Sequence, residues 1–506
     1  MRRVVSLSLP TWPTDRLRRT AGTAAPPPGE PLVLSGRDGQ QRVITSADAT
    51  ALRLGLYPGL PVAQARARVP RLHIVDADPA ADADALERLA QWCIRYSPIV
   101  ATDPPDGIWI DATGVAHLFG GEGALLSEIA GRLRKSGCVA RAALADTAGA
   151  AHALARYGHK RTIAVETGGV TAAIWSLPIS ALRLSANLES DLRRLGFESI
   201  GNLESTPRAP LALRFGSEVG RRLDQAFGRQ AEPLDPIVLK DLASATRAFV
   251  EPIGAPASFS LAITHLVDEL CPALEVRNLG ARRLNLLFYR VDGIVQAIRI
   301  GTSKPNRDAK RLARLLADHL ETIDPGFGIE RMTLTASLSE PLTLRQVGSF
   351  GSDDKAGDVA ALVDTLTNRL GSDKLFRLAP IESDVPERSH RRVPPMSRPT
   401  GETWPASLPR PSRLLRRPEE VETMALLPDH PPAFFVWRGV RRRITRADGP
   451  ERIFGEWWRA DAEVSAVRDY FQVEDEAGER FWLFRSGDGV DPKAGSLRWY
   501  VHGVFA

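Results

Sequence analysis

Residues 96–114 read YSPIVATDPPDGIWIDATG. Two short apolar runs, 98–101 and 108–112, flank the turn-forming TDPPDG, and that combination predicts an antiparallel hairpin. A third strand opens the chain. In VVSLSLPTWPTDRL, which starts at Val4, Val5, Leu7 and Leu9 share one face while Ser6 and Ser8 share the other, the period-two pattern of a half-buried strand. The prolines that follow predict a turn. Helices at 123–135 and 148–157, with a strand at 139–144 between them, complete a mixed α/β domain, and GLPVAQARARVP adds a short helix bounded by Pro61 and Pro70. The polar face of the first strand offers a serine hydroxyl where phosphate chemistry would want a carboxylate.

Farther along, residues 179–228 read as short helices, and LGFESIGNLESTP carries a glycine turn at Gly196 and Gly201 whose backbone N–H groups could meet a phosphate. Residues 241–345 alternate strand, helix, strand, strand, helix, strand. Beyond Phe350 come GSDDKAG, a helix at 359–370, and ESDVPERSHRRVPPMSRPTGETWPASLPRP, whose prolines and charges predict a linker without a compact core. Trp437, Trp457, Trp458, Trp482 and Trp499, five of the ten tryptophans, fall within residues 413–506, which predicts a folded, strand-rich terminal domain with most of those rings in its core.

With 506 residues, 43% of them hydrophobic, the chain is long enough for several domains and is not a disordered protein. A net charge of +5 with clustered arginines is compatible with a polyanionic partner. Cys93, Cys138 and Cys271 lack any CxxC or Cys/His spacing and read as buried thiols of a cytosolic protein. No apolar run approaches a membrane span, and prolines interrupt the N-terminus before a signal-peptide core, so secretion and membrane insertion are not expected.

Three stretches carry a resemblance. LRLGLYPGLPVAQARARVPRL resembles the fingers motif of Y-family (DinB-type) translesion DNA polymerases, YSP followed by DGIWIDATG resembles their second catalytic strand, and LGFESIGNLESTP their thumb hairpin. Within that family, PTWPTDRLRR, PDGIWIDATGVAHLFGGE and the C-terminal RLLRRPEEVE, GPERIFGEWW, RDYFQVED and WYVHGVFA are most similar to the members found in bacterial mutagenesis cassettes. The resemblance implies a multidomain chain of α/β and α+β class. Its parts would be a palm at 1–165 with fingers inserted at about 20–75, a helical thumb at 166–240 and a little finger at 241–345. A clamp-binding peptide at 346–350, a helix and proline-rich linker at 351–412, and a partner-binding domain at 413–506 would follow.

Active members of the family hold two divalent cations about 4 Å apart with three acidic ligands. The resemblance places those ligands at Ser8, Asp106 and Gly107, and only Asp106 is acidic. A hydroxyl is a weak, neutral ligand for a hard cation and glycine offers none, so neither a metal nor any other cofactor is expected. Mg²⁺ would return only if Asp15 or Asp111 substituted. The fingers Tyr and Arg that grip a triphosphate read Ala49 and Leu52, a palm Lys reads His152, expected on a helix surface, and the aromatic that excludes ribonucleotides reads Pro13. The resemblance therefore implies a polymerase fold without its chemistry and no catalytic residue.

Gln346, Val347, Gly348, Ser349 and Phe350 read QVGSF, which resembles the bacterial sliding-clamp-binding pentapeptide, where a Gln amide bonds the rim of a pocket and an aromatic fills it. Arg282 and Arg283 at a strand start, with Lys304 and Arg307 in SKPNRD, are candidate backbone contacts to DNA, of the salt-sensitive, sequence-independent kind. The run from Arg441 to Arg443 beside Trp437 reads either as a single-strand grip or as a solvated surface over a tryptophan core. The implied partners are DNA, the sliding clamp (β subunit), an ImuA-type RecA-like protein and the α subunit of an error-prone replicative-type polymerase. The implied role is a cytoplasmic, nucleoid-associated scaffold in damage-induced translesion synthesis. An active lesion-bypass polymerase with atypical ligands is the alternative, and a repair factor independent of any polymerase is a third reading.

Overall fold

The structure is a computed structural model that describes residues 2–27, 29–237, 242–342, 354–371, 374–398, 410–424, 430–456, 467–488 and 495–505. It falls into two units, Met1–Gly371 and Ser372–Ala506.

The first unit is built on strand β1 (Val4–Ser8), followed by helix α1 (Trp12–Ala21). Residues 12–15, expected in a turn, start this helix instead, because Pro13 presets φ for a first helical turn, where a missing N–H costs nothing. Trp12 is buried there and its indole N–H donates to the Asp82 carbonyl at 3.0 Å. A small sheet of β2 (Leu32–Asp38), β3 (Gln41–Ala47) and β4 (His73–Asp76), in the order β3-β2-β4, then packs on α2 (Ala49–Arg53) and α3 (Val62–Arg68) around Val33, Ile44, Leu56 and Val62. Helix α4 (Pro79–Cys93) leads back to β5 (Val100–Asp103) and β6 (Gly107–Asp111), the expected hairpin, and α5 (Glu122–Lys135), β7 (Arg141–Ala145), α6 (Ala148–Tyr157) and β8 (Thr162–Ala164) follow.

These strands form one sheet in the order β5-β6-β1-β7-β8. Alternation sends Val5, Leu7, Ile108, Ile110 and Leu144 toward Leu86 and Ile129 on α4 and α5. The other face meets α6, whose AGAAHALARY is so rich in small side chains that Ala148 to Ala155 are all buried. Helices α7 (Val170–Ile174), α8 (Ala186–Arg194), α9 (Ile200–Glu204), α10 (Arg208–Phe215) and α11 (Glu218–Phe227) share a core with α6 through Leu192, Leu203 and Leu223.

The strand, helix, strand, strand, helix, strand order is present as β9 (Ser244–Ile253), α12 (Pro256–Val276), β10 (Leu279–Arg290), β11 (Val295–Asn306), α13 (Ala309–Ala317) and β12 (Ile329–Pro341), in a sheet ordered β11-β10-β12-β9. Helix α14 (Asp354–Leu370) lies along the outer strand β11. Its Asn368 side chain accepts from the Gly301 N–H and donates to the Gly301 carbonyl, both at 2.8 Å, while Asp364 accepts from the Ser303 N–H at 2.5 Å and pairs with Arg311. Leu287, Tyr289, Val295 and Ala297, on the face of β10 and β11 away from α12, pack against Val4 and Ala101 of the first sheet, Ile99 just ahead of β5 and Ala148 at the start of α6.

The second unit begins with a hairpin, β13 (Arg377–Pro380) and β14 (His390–Val393). Strands β15 (Arg413–Met424), β16 (Phe434–Trp437), β17 (Val440–Phe454), β18 (Val467–Asp475), β19 (Arg480–Ser486) and β20 (Trp499–Val504) then close into a barrel. Phe435, Phe471, Phe481, Leu483 and Trp499 fill it, and Tyr470, Trp482 and Phe484 form a second cluster. The stretch expected to be a linker is corrected over residues 382–398, while 399–409 lie outside the described residues. Val385 and Pro386 are buried, Glu387 pairs with Arg468 at 2.7 Å, and Ser383 and Arg388 donate to Glu456 at 2.6 and 3.0 Å. Trp457 and Trp458 lie outside the described residues.

Candidate functional site: a metal centre without its ligands

Register places the first and third expected ligand positions side by side. Asp103 pairs with Gly107, Gly107 with Ser8, and Ser8 with Arg141, one row running across β5, β6, β1 and β7. Asp106 sits in the turn just ahead of β6, where its carbonyl accepts the Leu9 N–H at 2.8 Å. The sequence thus brings Ser8, Asp106 and Gly107 to one spot. Ser8 is buried, and a Cβ built on Gly107 would meet Asp103 Oδ2 at 2.8 Å and Asp103 Cβ at 2.9 Å. Asp103 fills the space a side chain at 107 would need.

Two residues of α6 face this row, His152 and Arg156, spaced i, i+4 on one side of the helix. The Arg156 guanidinium donates to Asp106 Oδ1 at 2.6 Å and lies 3.4 Å from Asp103 Oδ2. His152 Nε2 is 3.6 Å from the same Asp103 oxygen. Burial pushes both carboxyl groups above the usual range, and the neighbouring Arg156 pulls them back. Burial, then the charges of Arg156, Arg183 and Arg222, lower the His152 imidazole to about 2, so it is neutral. It is a buried histidine, not the helix-surface one expected.

A pair of divalent cations needs several converging carboxylates. The three ligand positions supply one carboxylate already engaged by a guanidinium, one buried hydroxyl and one bare Cα, and these residues do not fit the metal pair. The substitutes fail as well. Asp111 pairs with Val4, four positions along the strand from the Ser8 row, roughly 13 Å away at the strand rise, and is held by Arg2 Nε at 3.1 Å and the Thr113 N–H at 3.0 Å. Asp15 accepts from Thr11 Oγ1 at 2.9 Å and the Val139 N–H at 2.8 Å, which fastens α1 to the segment leading into β7. Ala49 is exposed on α2, Leu52 packs into the core of the small sheet, and Pro13 lies in α1, so none offers a polar group to a nucleotide.

The candidate DNA contacts separate. Arg282 pairs with Glu340 and Arg307 with Glu275, both at 3.2 Å, Lys304 is exposed, and Arg283 is half-buried, where desolvation lowers its guanidinium. The glycine turn gives no free donors, because the Gly196 N–H bonds the Arg193 carbonyl and the Gly201 N–H the Trp175 carbonyl, each at 2.9 Å. Gly201 lies inside α9 under the Trp175 ring, not in a turn. The basic run of the barrel is engaged too. Arg441 stacks over Phe434 at 3.9 Å, Arg442 pairs with Asp475 at 2.7 Å, Arg443 with Glu476 at 3.4 Å, and Trp437 Nε1 donates to Glu419 at 2.7 Å. Residues 346–350 lie outside the described residues. Among those described, no helix is long and apolar enough to cross a membrane, and the free thiols Cys93 and Cys138 are buried while Cys271 is half-buried. Asp103 and Arg156 were not singled out from the sequence, although their partners Asp106 and His152 were.

Residues 27–156 match the family described as impB/mucB/samB. Protein ImuB of Caulobacter vibrioides (strain NA1000 / CB15N) is 45% identical over 465 residues, covering 89% of this chain and 100% of the relative. DNA polymerase IV of Moorella thermoacetica is 24% identical over 372 residues, covering 69% of this chain and 89% of that one. Among solved structures, DinB from Sulfolobus solfataricus covers 66% of this chain and 98% of its own at 16% identity, with a TM-score of 0.39.

Proposed function

The chain belongs to the ImuB family, and from that premise we propose that it is a non-catalytic scaffold of damage-induced translesion DNA synthesis. The observation that carries the reading is the Arg156 guanidinium on Asp106, beside a serine and a glycine where two further carboxylates would be needed. Phosphoryl transfer by polymerases is positioning plus electrostatic neutralisation by metal ions, and removing the ligands removes the catalyst. What is left serves binding. In this reading DNA lies against the basic residues of the β10 and β11 sheet, the peptide 346–350 engages the sliding clamp, and the barrel unit recruits an ImuA-type RecA-like protein and the α subunit of an error-prone polymerase. The protein then works in the cytoplasm, at the nucleoid.

Primer extension with Mg²⁺ or Mn²⁺ tests this directly. No template-dependent incorporation is expected from the purified protein. Extension that disappears on Asp106→Ala would establish the competing reading, an active lesion-bypass polymerase. The one feature favouring that reading is Asp103, a carboxylate close to Asp106 outside the three expected positions, so Asp103→Asn belongs in the same assay.

A further inference from the structure

On the face of the first sheet away from α6, helices α1, α4 and α5 enclose a cleft of about 470 Å³. Its floor is apolar, with Leu89 and Trp92 of α4 beside the buried Trp12 and Leu133. The Trp92 ring is held in place by Tyr96, which meets it edge-on at 5.6 Å, and by the Arg95 guanidinium at 4.2 Å. Four further guanidinium groups line the cleft, from Arg16 and Arg19 on α1, Arg88 on α4 and Arg132 on α5, and among the described lining residues none is acidic. Two of the four have a carboxylate partner, Arg16 in Asp82 and Arg132 in Glu128. The other two have none among the described residues. Arg19 donates to the Cys138 sulfur at 3.3 Å, and Arg88 is exposed and makes no hydrogen bond or ion pair with the described residues.

We propose that this cleft is a binding site for a nucleoside phosphate, with the base against Trp92 and Leu89 and the phosphates on Arg19 and Arg88. The ligand class follows from what the walls offer. Planar guanidinium forks suit phosphate oxygens, and an apolar floor with an aromatic ring suits a flat base. The cleft also falls in the size range of small-molecule sites, about 300–1,000 Å³. A peptide is the poorer fit. The walls are helices, whose main-chain groups bond within the helix, and the carbonyls closing α5 accept from the N–H groups of Ser136, Gly137 and Cys138, so an extended chain finds no main-chain partner. The cleft is separate from the centre at Ser8, Asp106 and Gly107, where Arg156 reaches in from α6 on the other side of the sheet. It goes beyond the scaffold role proposed above, and neither requires the other. A phosphate supplies Arg19 and Arg88 with the counter-charge that the chain does not, and a ligand held by both joins α1 to α4.

The test is calorimetry on the full chain with metal-free ATP, adenosine, tripolyphosphate and a polyglutamate peptide. Wild type is compared with Arg19→Gln, Arg88→Gln and Arg134→Gln, the last an exposed arginine of α5 that does not line the cleft. ATP is expected to bind wild type at least roughly 10-fold more tightly than adenosine or tripolyphosphate, because only ATP uses both the floor and the arginines. Arg19→Gln and Arg88→Gln should each weaken ATP roughly 5- to 10-fold, the scale of one charge-assisted contact, while Arg134→Gln changes nothing. Arg88 and Arg19 are exposed, so their variants leave the core as it is. The proposal is overturned if wild type takes up no ATP, or if both cleft variants bind it as wild type does. Tripolyphosphate binding as tightly as ATP would also overturn it, leaving a charged surface without a place for a base. Polyglutamate binding more tightly than ATP, and lost in the same two variants, would assign the cleft to acidic peptides instead.

Discussion

Arg156 donates to Asp106 Oδ1 at 2.6 Å, reaching from α6 to the turn ahead of β6. The carboxylate that would receive a divalent cation already carries a positive charge supplied by the chain. Restoring one missing ligand therefore does not restore the centre. Ser8→Asp is expected to give no measurable Mn²⁺ binding by calorimetry, and only together with Arg156→Ala should a heat of binding emerge. Binding by Ser8→Asp alone would show that the guanidinium is no obstacle.

The close approach of Asp103 to Gly107 has a stability counterpart. A Cβ at 107 meets the Asp103 carbonyl oxygen at 2.9 Å as well as its side chain, so Gly107→Ala should destabilise the sheet by about 1–3 kcal/mol through overpacking. Hydrogen exchange in Gly107–Asp111 reads it, and unchanged protection there would mean that the turn yields freely.

His152 sets an acid limit. Its folded pKa, lowered to about 2, lies below the unfolded value near 6.5, so the unfolded chain takes up the proton first and stability is lost as pH falls through 6.5. Between pH 7.5 and 5.5 this one group should cost the sheet about 1.4 kcal/mol. The opening free energy of Val4–Ser8 amides should fall by that much in wild type and by less in His152→Gln.

Replacing Gln346 and Phe350 together by Ala should weaken clamp binding by roughly thirtyfold or more, the usual cost of an aromatic anchor. Exchange protection in Ile329–Pro341 should not change. Equal clamp affinity for the double variant would make the pentapeptide a coincidence.

The hairpin before the barrel belongs to the barrel's unit. A fragment of residues 374–506 should melt higher than one of 413–506, by roughly 5–10 °C, because the shorter fragment loses the contacts of Ser383, Glu387 and Arg388 with Glu456 and Arg468. A chain ending at Gly371 should still bind DNA and clamp but retain neither companion protein nor damage-induced mutagenesis. Full complementation by it would remove the barrel from the recruiting role.

The sequence made the strands legible where period-two alternation was clean, as in β1 and β6, and register then followed from the hairpin. Ser8 and Gly107, by contrast, were placed together by the family resemblance, and the β1–β6 register shows them side by side. Arg156 was not legible, because it meets Asp106 across fifty positions of chain and only the i, i+4 spacing from His152 hinted at a shared face. His152 was misjudged because an alanine-rich helix looks exposed by side-chain size, whereas small residues let it sit directly on a sheet. Arg282 and Arg307 looked available because their acids, Glu340 and Glu275, arrive from other elements. The run around Val385 looked like a spacer because prolines and charges argue against regular structure, not against packing on a neighbour.

The six-stranded barrel is closed, β15 pairing with β20 as well as with β16. Among the described residues, the closed ring leaves no unpaired barrel strand to which another chain could add one of its own. Whatever docks on it must be recognised by side chains and connecting segments rather than by main-chain hydrogen bonding. Its binding should then be lost to single side-chain changes on the outer face, and the same barrel can exchange partners over evolution by altering its surface while its hydrogen-bonded frame stays as it is.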